Sequence, residues 1–132
     1  MASQRMFTVA EANRTIPALE AGLDRVSKRA LELDGAAPRA AEVRKIGMAG
    51  GRPVPPHYFE GIREIQEQTQ ALEDRGIIVR DVRRGLVDFP AMLEGRQVFL
   101  CWLRGEHRVA YFHDPDSGFA GRQPLPPGLD RH

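Results

Sequence analysis

From Val9 onward the apolar positions fall at steps of three and four: Val9, Ala12, Ile16, Leu19, Leu23, Val26, Ala30 and Leu33. That spacing draws one stripe along a helix and leaves Glu11, Asn13, Glu20, Asp24 and Lys28 for water. Thr8 and Glu11 form a capping-box pattern at its start, each able to satisfy a free backbone N–H of the other. Run through to Leu33, the helix measures about 37 Å at 1.5 Å per residue, with Pro17 expected to kink its second turn. A second stripe, Tyr58, Ile62, Ile65, Thr69 and Leu72, lies in a helical segment 56–75 that opens on Pro55-Pro56 and is capped by Gly76. Neither striped helix is stable alone in water, so the pair is expected to pack as a long antiparallel hairpin. Between them residues 38–46 suit a short third helix, and the glycine-rich 47–51 a linker. No Gly-Lys-Ser/Thr follows those glycines, which separates them from a phosphate-binding loop.

After Gly76 the period shortens. Residues 77–79, 86–89, 98–103 and 109–113 are short β-branched and aromatic runs, the second stopped by Pro90. With Gly105 and Glu106 as a two-residue type II′ turn, Trp102 falls opposite Val109, Leu100 opposite Tyr111 and Val98 opposite His113. Phe99, Cys101, Ala110 and Phe112 then occupy the other face. Both faces are largely apolar: one suits the helices, and the other needs cover from the tail, a partner subunit or a ligand. The tail, rich in turn formers but carrying Phe119 and Arg122, reads as an ordered loop folded back on the sheet. The expected fold is α+β: a long antiparallel helical hairpin on a small antiparallel meander of three to four strands. Residues 1–132 form one domain, with 7–76 helical, 77–125 the meander and ordered tail, and 126–132 frayed.

Composition narrows the function classes. The 132 residues are 42% hydrophobic and 28% charged, with a net charge of +1, so no global field draws the chain to nucleic acid or an anionic membrane. The arginine cluster Arg80, Arg83 and Arg84 is diluted by Asp81 and has no aromatic nucleic-acid motif beside it. A single cysteine, Cys101, precludes an internal disulfide framework, and its apolar neighbours suit an inert buried thiol. No apolar run is long enough to span a bilayer and the start lacks a secretion signal, so a cytoplasmic protein is expected.

Residues of functional type concentrate between Asp88 and Arg122. Asp88, flanked by Val87 and Phe89, is a carboxylate in a run that should be at least half buried, where it needs a partner such as Arg122, Arg96 or a backbone donor. His113 ends a strand just before Asp114 and Asp116, and histidine with carboxylates is the vocabulary of a Zn, Fe or Mn site. The candidate metal ligands are therefore His113, Asp116 and Asp88, and the candidate ligand-binding residues Asp88, Arg96, Trp102, His113 and Arg122. In the register above, Glu106 stands about 20 Å from His113 and cannot share a metal with it. No serine sits in a nucleophile elbow, and the residues name no reaction.

Gly85-Leu-Val-Asp-Phe-Pro-Ala91, Gly95-Arg96, Leu100-Cys-Trp102, Gly105-Glu106, Tyr111-Phe-His113 and Gly118-Phe-Ala-Gly-Arg122 resemble an uncharacterised bacterial family, domain of unknown function 2203. The opening Phe7-Thr8-Val-Ala-Glu11-Ala-Asn13, with Pro17 after it, resembles that family's start; Phe112 stands where tryptophan is expected. The resemblance implies a small bacterial cytoplasmic protein and brings no activity, cofactor or catalytic residue. Two functional expectations follow from the residues. The first is a non-enzymatic binding or assembly module that self-associates, as a dimer, because so much apolar surface needs cover. The second is a metal-dependent or small-molecule enzyme with a divalent metal and a site between sheet and tail around Asp88, His113 and Arg122.

Overall fold

The computed structural model describes residues 4–36 and 56–129, so the expected third helix and linker lie outside the described residues. Helices α1 (Val9–Ala36) and α2 (Pro56–Asp74) precede a five-stranded antiparallel sheet: β1 (Ile78–Asp81), β2 (Leu86–Leu93), β3 (Arg96–Leu103), β4 (Tyr111–His113) and β5 (Gln123–Pro124). The strands lie in sequence order, β1-β2-β3-β4-β5. The fold is α+β. No helix among the described residues is long and apolar enough to cross a membrane.

α1 begins where its capping box places it: Glu11 N–H donates to Thr8 Oγ1 at 3.0 Å, and Thr8 N–H donates to Glu11 Oε1 at 3.2 Å. All eight positions of its stripe are buried, from Val9 to Leu33. The N-terminal five, through Leu23, join one core with Phe7, Ile77, Val87, Phe89, Val98, Leu100, Trp102 and Phe112 from the rest of the chain. Further along, α1 meets α2: Leu33 lies against Gly61, Arg29 Nε is 3.3 Å from Glu64, and Leu19, Leu23 and Val26 line a groove with Thr69 and Leu72. The α2 stripe is only half-buried throughout. α2 ends in a Schellman arrangement, with Ile77 N–H donating to the Leu72 carbonyl, Gly76 N–H to the Glu73 carbonyl, and Gly76 at φ 92° as the motif demands.

The sheet departs from expectation in three ways. It has five strands rather than three or four, because Gln123 and Pro124 of the tail pair with Phe112 and Tyr111. β2 continues through Pro90 to Leu93 and turns into β3 through Glu94-Gly95, both at positive φ, as a two-residue primed hairpin requires. The β3–β4 register is one residue away from the expected pairing: Phe99 faces His113, Leu100 faces Phe112 and Cys101 faces Tyr111. The cause is competition for backbone donors. Val109 N–H is taken by Asn13 Oδ1 of α1 at 2.7 Å, so Asn13 is not simply a water-facing residue, and β4 begins only at Tyr111. The turn closes from Glu106 N–H to the Leu103 carbonyl, placing Arg104 and Gly105, not Gly105 and Glu106, at its centre. A one-residue slip exchanges faces. Phe112 therefore joins the helix-facing core, and His113 moves to the same face as Phe99 and Cys101.

Candidate functional site

The face of the sheet turned away from the core carries the polar residues. Asp88 of β2 pairs with Cys101 of β3, Cys101 with Tyr111 of β4, and His113 stands two residues along β4 beside Phe99. Strands lie about 4.8 Å apart, so Asp88 and His113 reach toward each other across the intervening β3. They meet: His113 Nε2 is 2.8 Å from Asp88 Oδ2. Both residues are buried, as is Cys101. One ligand atom from each of Asp88, Cys101 and His113 lies within 4.8 Å of the others.

Hydrogen bonding settles where some protons sit. His113 Nδ1 is 2.8 Å from the Asp114 carbonyl oxygen, which can only accept, so Nδ1 carries a proton and donates. Nε2 and Oδ2 are both acceptors unless a proton lies between them, and their short contact therefore holds one more. Asp88 Oδ2 also accepts from Arg80 Nε at 2.8 Å. The other oxygen, Oδ1, is buried with no hydrogen-bond partner among the described residues. An unpaired carboxylate oxygen in such a place costs about 1–3 kcal/mol or more. Burial, and then the negative charge of Asp88, push the Cys101 thiol from 9.0 up to about 11, against the pull of Arg122, whose Nη1 is 3.9 Å from Sγ.

Local features place each group. The β1–β2 register shifts between Val79 and Asp81, leaving Arg80 as the extra residue of a bulge, a device that re-aims a side chain. Arg80 stacks over Phe99 at 5.1 Å while it holds Asp88. Arg122 closes the far side: its fork donates to Glu106 Oε1 at 3.2 Å and Oε2 at 2.8 Å and lies over Tyr111 and Phe119 at 4.0 and 4.5 Å. Glu106 is fixed in turn by Leu103 N–H at 2.7 Å. The tail thus covers much of the second sheet face, leaving an open cleft of about 340 Å³ lined by Arg80, Asp88, His113, Asp116 and Phe119 among others.

Of the residues expected from sequence, Asp88 and His113 come into direct contact, and Asp116 lines the cleft without belonging to the buried group. Arg122 touches Cys101 but spends its fork on Glu106. Arg96 pairs with Asp114, whose carbonyl orients His113. Trp102 is fully buried in the helix-facing core, where its Nε1–H donates to the Glu106 carbonyl at 3.0 Å. Two members of the site are not marked by the sequence: Cys101, whose apolar neighbours suit an inert buried thiol, and Arg80, which stands in an arginine cluster diluted by Asp81. The signal for Cys101 lay in the strand alternation, which the one-residue slip obscured.

A family model described as an uncharacterized conserved protein, domain of unknown function 2203, matches residues 5–125. The chain belongs to that family. The matched span of the family includes both helices, the whole sheet and every residue of the Asp88, Cys101 and His113 group. No curated protein and no solved structure is significantly similar to the chain.

Proposed function

We propose that this protein binds a divalent metal ion on the outer face of its sheet, with Asp88, Cys101 and His113 as ligands. The observation that carries the reading is the buried Asp88 Oδ1, which has no hydrogen-bond partner among the described residues, within a three-residue group whose ligand atoms lie within 4.8 Å of one another. Supporting it, His113 donates through Nδ1 to a backbone carbonyl, the usual way a ligating histidine is oriented to offer Nε2, and Asp88 is steadied by Arg80. A thiolate, imidazole and carboxylate together suit Zn or Fe better than Mn. Three protein ligands leave a coordination position for a small molecule entering by the cleft. The Cys101 thiol keeps its proton near neutral pH, so metal must displace it together with the proton between His113 Nε2 and Asp88 Oδ2, and apparent affinity is expected to rise with pH. The bacterial cytoplasm is the compartment we propose, where a lone thiol stays reduced.

Elemental analysis of protein purified without a metal-affinity tag tests the reading. About one Zn or Fe per chain, lost in Asp88→Asn and Cys101→Ala, is the expected result. Metal-free protein whose melting is unchanged by added Zn, Fe or Mn would sink it.

A second reading, self-association as a dimer, treats α1 and α2 as an antiparallel hairpin that presents apolar side chains to another copy. It draws on Leu31 of α1 and Phe59 of α2, each 58% exposed. Light scattering across micromolar concentrations is expected to give a dimer mass; a strict monomer throughout rules it out.

A further inference from the structure

The cleft beside Asp88 and His113 pairs a cation with an open mouth. Arg80 uses only its Nε on Asp88, and its two terminal nitrogens have no hydrogen-bond or ion-pair partner among the described residues. Its side chain is 43% exposed and lines the cleft. The bulge in β1 aims the side chain, and the guanidinium is pinned by Asp88 and by the Phe99 ring. A pinned planar fork loses little conformational entropy on binding a second partner, and its geometry matches the two oxygens of an oxyanion. Arg84 lies over the lining residue Phe119 at 4.8 Å and adds positive charge, whereas Asp116, itself in the lining, works against it. The volume, about 340 Å³, suits a small molecule. Leu86 and Phe119 offer its body an apolar wall.

We infer that the cleft takes a small molecule bearing a carboxylate or phosphate, whose oxyanion is held by the Arg80 fork while the same group or its neighbour reaches the metal position. This rests on the metal-binding reading above. It assigns Arg80 to ligand recognition, a role separate from its steadying contact to Asp88, and it predicts that the ligand is anionic.

The full chain loaded with Co(II) supplies both readouts. Its visible absorption, together with a thiolate-to-cobalt band in the near ultraviolet, reports whether metal is bound at Cys101. Inorganic phosphate and acetate are then titrated separately, with chloride at matched ionic strength as reference, so that screening is not mistaken for binding. The expected result is a saturable change in the visible bands with at least one of the two anions, weakened tenfold or more in Arg80→Gln and partly restored in Arg80→Lys. The anion that saturates at lower concentration identifies the ligand as phosphate- or carboxylate-bearing. Cobalt bands that respond to neither anion, or respond equally in Arg80→Gln, overturn the inference and leave the metal reading standing. If no cobalt bands form, both are overturned.

Discussion

Asp88 has one carboxylate oxygen accepting from Arg80 and sharing a proton with His113, and another that is buried with no hydrogen-bond partner among the described residues. Removing the carboxylate leaves the buried His113 and the partly exposed Arg80 without their acceptor. Asp88→Ala is therefore expected to destabilise the metal-free protein by about 3 kcal/mol, read from urea unfolding. Cys101 carries a different consequence. Its folded pKa of about 11 lies above the ordinary 9.0, so the folded state holds the thiol proton more tightly than the unfolded chain does. Between those two values the unfolded chain ionises first, and stability falls as pH rises. Metal-free protein is expected to lose about 2–3 kcal/mol across that window, beyond any loss in Cys101→Ala, as measured by denaturation at stepped alkaline pH. Sequence made Asp88 and His113 conspicuous, because a charged or imidazole side chain among β-branched neighbours is out of place. It could not do so for Cys101, because cysteine is at home in an apolar strand and only its neighbours across the sheet give it a role.

At the scale of elements, the helices were the most legible part of the chain. The α1 stripe and its capping box are local signals, each contained within a few residues of sequence, and both reappear in the structure. Thr8→Ala is expected to cost about 1 kcal/mol in thermal or urea unfolding, since it leaves one helix N–H without its acceptor. The strands were legible in number only approximately and in register not at all. Turn composition around Gly105 favoured a tight hairpin, yet Asn13, almost a hundred residues earlier, takes the Val109 N–H and forces a longer connection. Asn13→Ala leaves that amide without its acceptor and is expected to destabilise by about 1–3 kcal/mol. Hydrogen exchange at the Val109 amide should speed up in the variant; unchanged protection would show that another acceptor replaces Asn13.

For the whole molecule, the tail decides whether the second sheet face is surface or site. The apolar face expected to need cover from the tail, a partner subunit or a ligand is met, over much of its width, by the tail residues following β4, held by the half-buried Arg122–Glu106 pair and the stacking of Arg122 on Tyr111 and Phe119. Arg122→Met keeps the length of the side chain but removes the clamp. It is expected to cost about 1–2 kcal/mol and to raise the rate at which a thiol reagent reaches Cys101, since local opening of the tail exposes the thiol. Reaction no faster than wild type would mean that the tail is held by β5 pairing alone.

What the sequence determined by itself was whatever local periodicity and capping chemistry encode: two striped helices, a change to strands after Gly76, the α+β class, and a short list of polar residues set among apolar ones. Only the tertiary structure decided the register that puts Cys101 and His113 on one face, the fifth strand from the tail, and the bulge that aims Arg80 at Asp88. The physical reason is that a helix is held by bonds between residues four apart, whereas register is settled by whichever distant acceptor claims each backbone N–H. A one-residue difference in that competition moves every side chain of a strand to the opposite face, and with it the makeup of the site.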